Sequence, residues 1–272
     1  THRNKIGQVA YNLKGIATVT RQKYLTASEK GPWANSYDRW RNDNLTNRYQ
    51  GVQFGYTSAG RYTSWNDIWS YPGYKERDIL PGDYKYEDWN GDGEINGQDE
   101  HPFAFDQTPW LQFSLNAGLQ WKNLDFNMLL QGSALGSMEY KEPLHEIWGK
   151  NGGGALTQFL DRWHPVDPKA DPYDPSTVWT SGHYAYTGRW AKNNSAFNRV
   201  STAYLRLKSI ELGYTFPKLK QIPNASLRIY ANAYNLLTFT GVKFVDPEHP
   251  DDDLGRMYPL NKTYTLGVSL SF

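Results

Sequence analysis

There is no cysteine anywhere in this chain, so neither a disulfide framework nor a thiolate metal site is open to it. No stretch approaches the ~20 consecutive apolar residues that a membrane-spanning helix needs, which excludes a helical membrane protein. A transmembrane β-barrel is untouched by that exclusion, because its strands are apolar on one side only and disappear from hydropathy averages. Neither sign of charge dominates: 29 Lys and Arg stand against 28 Asp and Glu, interspersed, which argues against nucleic acid as a partner. The first residues, Thr1-His2-Arg3-Asn4, are polar and no apolar signal-peptide core follows. For a sequence of secreted type the expectation is that the true N-terminus lies elsewhere and that the chain is a fragment.

What is abundant is aromatic. Mean hydropathy is only -0.74, yet aromatics make up 15% of the chain, with 20 Tyr and 11 Trp, far too many for a disordered polymer. Strict apolar/polar alternation accounts for many of the apolar residues, in segments of roughly 9 to 11 residues, the length a tilted strand needs to cross a bilayer. Tyr264, Leu266, Val268, Leu270 and Phe272 share one face of the last segment, with Thr263, Thr265, Gly267, Ser269 and Ser271 on the other. Leu111, Phe113, Leu115, Ala117, Leu119 and Trp121 alternate with Gln112, Ser114, Asn116, Gly118 and Gln120. Leu124, Phe126, Met128 and Leu130 follow after only Lys122-Asn123, which predicts a tight hairpin. A second pair runs through Ile210, Leu212, Tyr214 and Phe216, then Leu227, Ile229, Ala231, Ala233, Leu237 and Phe239, joined by 217–224. The sixth segment, Val9 to Arg21, has Val9, Tyr11, Leu13, Ala17 and Val19 on one face, interrupted at Gly15.

Apolar parity slips within the fourth segment, since Leu205 and Leu207 are odd and Ile210 onward even. A one-residue slip exchanges the faces, so a bulge is predicted near Lys208 and Ser209. Connections alternate between short and long, the long ones covering about 25–109, 140–202 and 241–261. Outer-membrane barrels show that asymmetry, with short periplasmic turns and long extracellular loops. A soluble two-sheet sandwich, such as a calcium-binding adhesin, produces the same period-2 pattern and is the competing architecture. Six strands fall short of the roughly eight of the smallest bacterial barrels, and an open sheet edge in lipid leaves unpaired backbone groups. The remaining strands are therefore expected from elsewhere.

Three stretches carry a family resemblance. Tyr204-Leu205-Arg206-Leu207-Lys208-Ser209-Ile210-Glu211-Leu212-Gly213-Tyr214-Thr215-Phe216-Pro217 is one; Leu227-Arg228-Ile229-Tyr230 through Asn235-Leu236-Leu237-Thr238-Phe239-Thr240 is another. The third is Pro81-Gly82-Asp83-Tyr84-Lys85-Tyr86 leading into Asp88-Trp89-Asn90-Gly91-Asp92-Gly93. In order and spacing they resemble the C-terminal part of SusC/RagA-type TonB-dependent importers of Bacteroidetes. The end of the chain, with Gly267, Leu270 and Phe272, is similar to the assembly signal of bacterial outer-membrane barrels. The resemblance implies an all-β chain 1–272 supplying the last six antiparallel strands of a barrel of about 22 strands filled by a plug, located in the outer membrane. It also implies a SusD-like lipoprotein lid, coupling to TonB through a part of the protein outside this chain, and an oligosaccharide or oligopeptide substrate.

Asp88, Asn90, Asp92, Asn96 and Asp99 fall at EF-hand loop positions 1, 3, 5, 9 and 12, with Gly93 at 6 and the backbone carbonyl of Glu94 at 7. That spacing suits a structural Ca²⁺ stiffening a long loop, although position 12 is Asp instead of the usual Glu; a metal-free Gly/Asn/Asp turn has the same composition. The second long loop carries Trp148, Trp163, Trp179, Tyr184, Tyr186, Arg189 and Trp190, suited to substrate or to a lid protein, while ordinary loop packing uses the same residues. Trp110, Trp121, Tyr214 and Tyr264 are expected at the membrane interfaces. Arg206, Lys208, Arg228, Asn232 and Tyr234 are expected to face the lumen, and Asp246 to Asp253 to form a solvated acidic loop. His145, His164 and His183 share a loop with Glu146, Asp161 and Asp167, but in no pattern that defines an enzyme.

Overall fold

A computed structural model describes the chain except for residues 28–31, 33–34, 37–39, 41–45, 74–77, 142–143, 146, 148–154, 187–193, 218–224, 250–254 and 272. Seven strands form one antiparallel meander: β1 His2–Ile6, β2 Val9–Val19, β3 Leu111–Trp121, β4 Leu124–Ala134, β5 Tyr204–Phe216, β6 Ser226–Thr240 and β7 Thr263–Ser271. All six expected strands are present, and β1 is an addition. It escaped the periodicity because its sequence, His-Arg-Asn-Lys-Ile, is polar on both faces; the tight turn at Gly7, at φ 59°, folds it onto β2. The second tight turn sits at Lys122-Asn123, with Lys122 at φ 52°. Because the strands are sequential neighbours, every long connection emerges at one end of the sheet and every short one at the other.

Register places the alternating apolar residues on one face, with Ile16 and Leu129 as exceptions on the other. Val9, Trp121, Leu124, Tyr214, Ile229 and Val268 lie in a single cross-strand row, and Phe126, Leu212, Ala231 and Leu266 in the next. The bulge appears where parity required it, between Leu207 and Ser209. From Met128 to Leu130 β4 takes two steps, from Leu207 to Ile210 β5 takes three, and from Ala233 to Leu237 β6 takes four. Asn235 absorbs the extra residue of β6 at φ 54°, a conformation Asn tolerates better than most side chains. Leu205, Leu207 and Leu237 thereby return to the same face as Ile210 and Ile229.

Nothing among the described residues covers that face. Leu212 is 50% exposed, Leu266 77% and Val268 65%. A two-sheet sandwich would bury these side chains, each burial being worth about 1.5–3 kcal/mol, so the sandwich is not the architecture observed. Trp121, Tyr214 and Tyr264 lie on this outer face, as expected of interfacial rings. Trp110 does not: it packs against Tyr49 at 5.5 Å and Phe105 at 5.0 Å with Arg21 over its ring, on the side facing the loops.

The opposite face is polar and tied together by charge. Arg228 bridges Asp125 (2.5 Å) on β4 and Glu211 (2.7 Å) on β5. Gly267 has a packing role there, since a Cβ at that position would fall within the Tyr230 ring of the adjacent strand. Phe272 lies outside the described residues.

Most of the buried apolar side chains lie outside the sheet, whose own buried members are Tyr204 and Ala233. Tyr56, Tyr62, Leu80, Tyr86, Ile95, Met138, Phe159 and Trp163 belong to the long connections, which fold into a cap at one end of the sheet. Physically this is the inverse of a soluble β protein: the strands show their oil outward, and the hydrophobic core sits above them.

Candidate functional site

The first two long loops build the cap together. In the first, Gln53–Gly55 pairs with His101–Ala104 and Ser58–Arg61 with Tyr84–Tyr86. A short helix, α1 (Trp65–Ser70), is capped by Ser64, which accepts from the Asp67 N–H, and Asp67 holds Lys85 at 2.7 Å. In the second loop, Ser137–Glu139 pairs with Arg199–Ser201 and His164–Pro165 with Trp179–Thr180. The loops meet at a parallel bridge between Tyr56 and Ser195, where Tyr56 N donates to Asn194 O (3.0 Å) and Ala196 N to Tyr56 O (2.9 Å). Phe197 enters edge-on between Tyr84 (4.8 Å) and Tyr86 (5.7 Å), and Arg61 donates to the carbonyls of both Gly82 and His183.

Two glycines make the junction possible. A side chain at Gly55 would collide with the Asn194 carbonyl, and one at Gly82, at φ 90°, with the Trp163 indole. Gly82 stands in one of the stretches that carry the resemblance, but the packing role of both glycines has no local signature, because each is required by a distant neighbour.

The aromatic set of the second loop is divided by this packing. Trp163 is 9% exposed and wedged on Gly82. Tyr184 stacks edge-on with Phe159 at 4.5 Å, and burial pushes its hydroxyl up to about 12. Trp179 and Tyr186 form a half-exposed edge-to-face pair at 5.4 Å. Trp148, Arg189 and Trp190 lie outside the described residues.

The turn 88–99 closes on its own side chains. Asp88 accepts from Gly91 N (2.8 Å) and Gly93 N (2.9 Å), both glycines having positive φ. Asn90 accepts from Asp92 N and Asp92 from Glu94 N, while Asn96 caps the single 3-10 turn Gly97–Asp99. Asp99 is fully buried and receives Asn96 N at 2.7 Å and Trp89 N at 3.0 Å. Among the described residues no three His, Asp or Glu side chains converge in metal-binding geometry. The Trp89 ring stacks on His101 at 3.7 Å, joining the turn to the strand that pairs with Gln53–Gly55.

One expectation is overturned at the sheet. Asp246 and Glu248 are not solvated: both pair with Arg206, which is 1% exposed on the polar face, and Glu248 also receives Lys208 (3.1 Å), the Tyr204 hydroxyl (2.9 Å) and Gln131 (3.0 Å). Beside them a concavity of about 670 Å³ is lined by Gln112, Gln131, Ser133, Tyr204, Pro247 and Glu248. Alternation predicted the cations; which loop delivers the carboxylates depends on how the loop folds back. Residues 250–254, the rest of the acidic run, lie outside the described residues.

No protein-family model matches the chain. Over 211 residues it is 28% identical to TonB-dependent receptor P3 of Formosa agariphila, which covers 72% of the chain and 19% of the receptor. Over 239 residues it is 27% identical to TonB-dependent receptor P26 of the same organism, covering 82% and 22%. Its fold matches the RagAB peptide transporter at a TM-score of 0.60 and 16% identity, over 99% of this chain and 28% of that one. The RagAB importer in its closed-closed state gives 0.59 and in its open-open state 0.54. The chain is thus similar in sequence to part of TonB-dependent receptors and in fold to part of the RagAB transporter. It spans about a fifth of the length of the curated relatives.

Two imidazoles in the cap are held below their ordinary value: His183 by burial and the neighbouring Arg61 guanidinium, and His145. Burial lowers the His145 imidazole to about 4 from its ordinary 6.5. Between those two values the unfolded chain binds more protons than the folded one, so cap stability falls as pH drops from about 6.5 to about 4 and levels off below. The slope is on the order of 1 kcal/mol per pH unit. Gln158 donates to the Leu144 carbonyl at 2.8 Å, so intrinsic-rate-corrected amide exchange at Phe159 is expected to quicken at about pH 5 relative to about pH 7, and the change to lessen in His145→Gln, with His183 supplying the remainder. An exchange rate independent of pH in the parent protein would remove the assignment.

Proposed function

We propose that this chain forms part of the wall and extracellular cap of an outer-membrane importer energised by TonB, taking up oligosaccharides in partnership with a SusD-like surface lipoprotein. The observation that carries the reading is the uncovered apolar face of a seven-strand meander whose other face is charged and polar. Such a sheet is stable where hydrocarbon meets one side and water or protein the other. The free edges of β1 and β7 expose backbone groups that lipid does not satisfy, so strands of the same protein outside this chain, with a plug in the lumen, complete the wall.

Oligopeptides are the second substrate reading, favoured by the similarity in fold to a transporter described as a peptide importer. Half-exposed Trp179 and Tyr186 in the cap offer the surface for either substrate or for the lid. The deciding experiment purifies the full-length protein in detergent with its co-purifying lipoprotein and identifies retained ligand by mass spectrometry. Retained glycans support the first reading and retained peptides the second. Recovery of the protein without detergent would defeat both.

The turn at Asp88–Asp99 is proposed to hold a structural Ca²⁺, supported by its hard oxygen donors Asp88, Asn90, Asp92, Asn96 and Asp99 and the Glu94 carbonyl, and by its closed, glycine-bent backbone. Bound at about a hundredfold over its dissociation constant, calcium would stabilise the cap by about 2.7 kcal/mol. A chelator is therefore expected to accelerate amide exchange across 88–101, with no such effect in Asp88→Asn/Asp92→Asn. Absence of calcium by elemental analysis of the dialysed protein, together with indifference to chelator, would exclude the ion.

A further inference from the structure

Arg206 lies buried on the polar face of β5. Its guanidinium is almost wholly removed from solvent, yet none of its charge partners comes from the sheet: Asp246 reaches it with both oxygens (2.8 and 2.7 Å), and Glu248 with one. Both carboxylates ride on a short segment, 241–249, of the third long loop. Lys208 and the Tyr204 hydroxyl complete a receptor built on β5, and Gln131 adds an amide from β4. This receptor borders the 670 Å³ concavity, and Pro247 and Glu248 form part of that wall. Asp106 is the one other charged residue of the lining, on the stretch before β3, and the Glu248 side chain is the feature through which a ligand there meets the cations.

The segment is also held under backbone strain. Phe244 adopts φ 72°, a conformation costly for a bulky side chain, and is 51% exposed. It is restrained by Tyr140, whose hydroxyl donates to the Lys243 carbonyl and accepts from the Lys243 N–H, at 2.9 and 2.8 Å. A segment strained at one end and pinned by ion pairs at the other relaxes when the pins are drawn. Drawing them uncompensated would leave a guanidinium buried without an anion, which is strongly unfavourable. Opening is therefore coupled to the arrival of another anion.

We propose that Arg206, Lys208, Tyr204 and Gln131 form a carboxylate-binding site on the inner wall, occupied in cis by Asp246 and Glu248, and that a carboxylate-bearing ligand entering the adjacent concavity exchanges with Glu248 and loosens the strap 243–249, which Asp246 alone then holds. The step is an exchange of ion pairs with no bond made or broken. It deepens the importer reading by naming a ligand group, and it rests on that reading only for the meaning of the loosening.

Hydrogen–deuterium exchange of the full-length protein in detergent, followed in the strap, tests it without requiring transport. The Glu248 and His249 amides, now donated to Asp246, report directly. N-acetylglycine is expected to accelerate their exchange about tenfold, the equivalent of one charge-assisted contact, whereas N-acetylglycinamide at matched ionic strength leaves it unchanged. Asp246→Asn/Glu248→Gln is expected to exchange fast with either compound. Equal behaviour of acid and amide in the parent protein overturns the proposal, as does a double variant whose strap stays as protected as the parent. Uptake can fail with the strap response intact, and the reverse, so the two readings are separable.

Discussion

Replacing Gly55 by Ala is expected to part the two capping loops while leaving the strands intact. The added carbon would fall within bonding range of the Asn194 carbonyl and 2.7 Å from the Phe103 ring, and the carbonyl is backbone already committed to the Tyr56 amide. A flexible side chain could yield; this partner cannot. Overpacking of this kind costs about 1–3 kcal/mol, and a backbone partner places the substitution at the upper end or beyond. Gly82→Ala adds a second penalty, about 1–2 kcal/mol for a side chain at φ 90°, to its collision with Trp163. Exchange of the Tyr56 and Ala196 amides is the readout, expected to rise by at least about tenfold in either variant. Gly15→Ala, with nothing within 4 Å of its Cβ, serves as the control. Native-level protection of Tyr56 in a folded Gly55→Ala protein would mean the loops do not meet as described.

The largest effect on the protein as a whole is expected from charge on the outer face. Leu212 lies in the middle of β5, between Phe126 and Ala231, and is half exposed. In hydrocarbon, Leu212→Arg costs about 2–4 kcal/mol near the bilayer midplane and about 0–1 near its interface. Thr265→Arg, on the polar face beside Asn232 and near Glu211, costs little by comparison. The folded, heat-modifiable form recovered from outer membranes is therefore expected to be depleted by the first substitution and retained with the second. A soluble protein would tolerate both substitutions alike, since arginine at an exposed position in water is neutral or favourable. Equal recovery of the two variants would sink the membrane reading, however good the match in fold.

These two experiments address the two hydrophobic systems of the chain, and they differ in how visible each was beforehand. The outer face was legible because a strand alternates with period two wherever it pairs, so Leu111 through Trp121 announce their own face. Even the bulge was legible, since Leu205 and Leu207 change parity against Ile210 within one strand. The first strand was not, because both faces of His2–Ile6 are polar and only pairing with Val9–Leu13 defines it. Trp110 misled because a tryptophan one residue before a strand reads as an interfacial ring, when in fact Tyr49 and Phe105 claim it.

The cap was almost illegible, and the reason is physical. Its core joins residues far apart in sequence, Gly55 with Asn194 and Gly82 with Trp163, through irregular backbone that imposes no period. Asp246 and Glu248 look like any solvated acidic loop until the chain folds back and sets them on Arg206. Local sequence thus carries the strands, their register, their two faces and the end from which the long loops leave, since each follows from hydrogen bonding between chain neighbours. Which loop grips which, and which buried charge finds its partner, is settled only by contacts across the molecule, where excluded volume and the cost of an unpaired ion choose among arrangements that the sequence leaves equal.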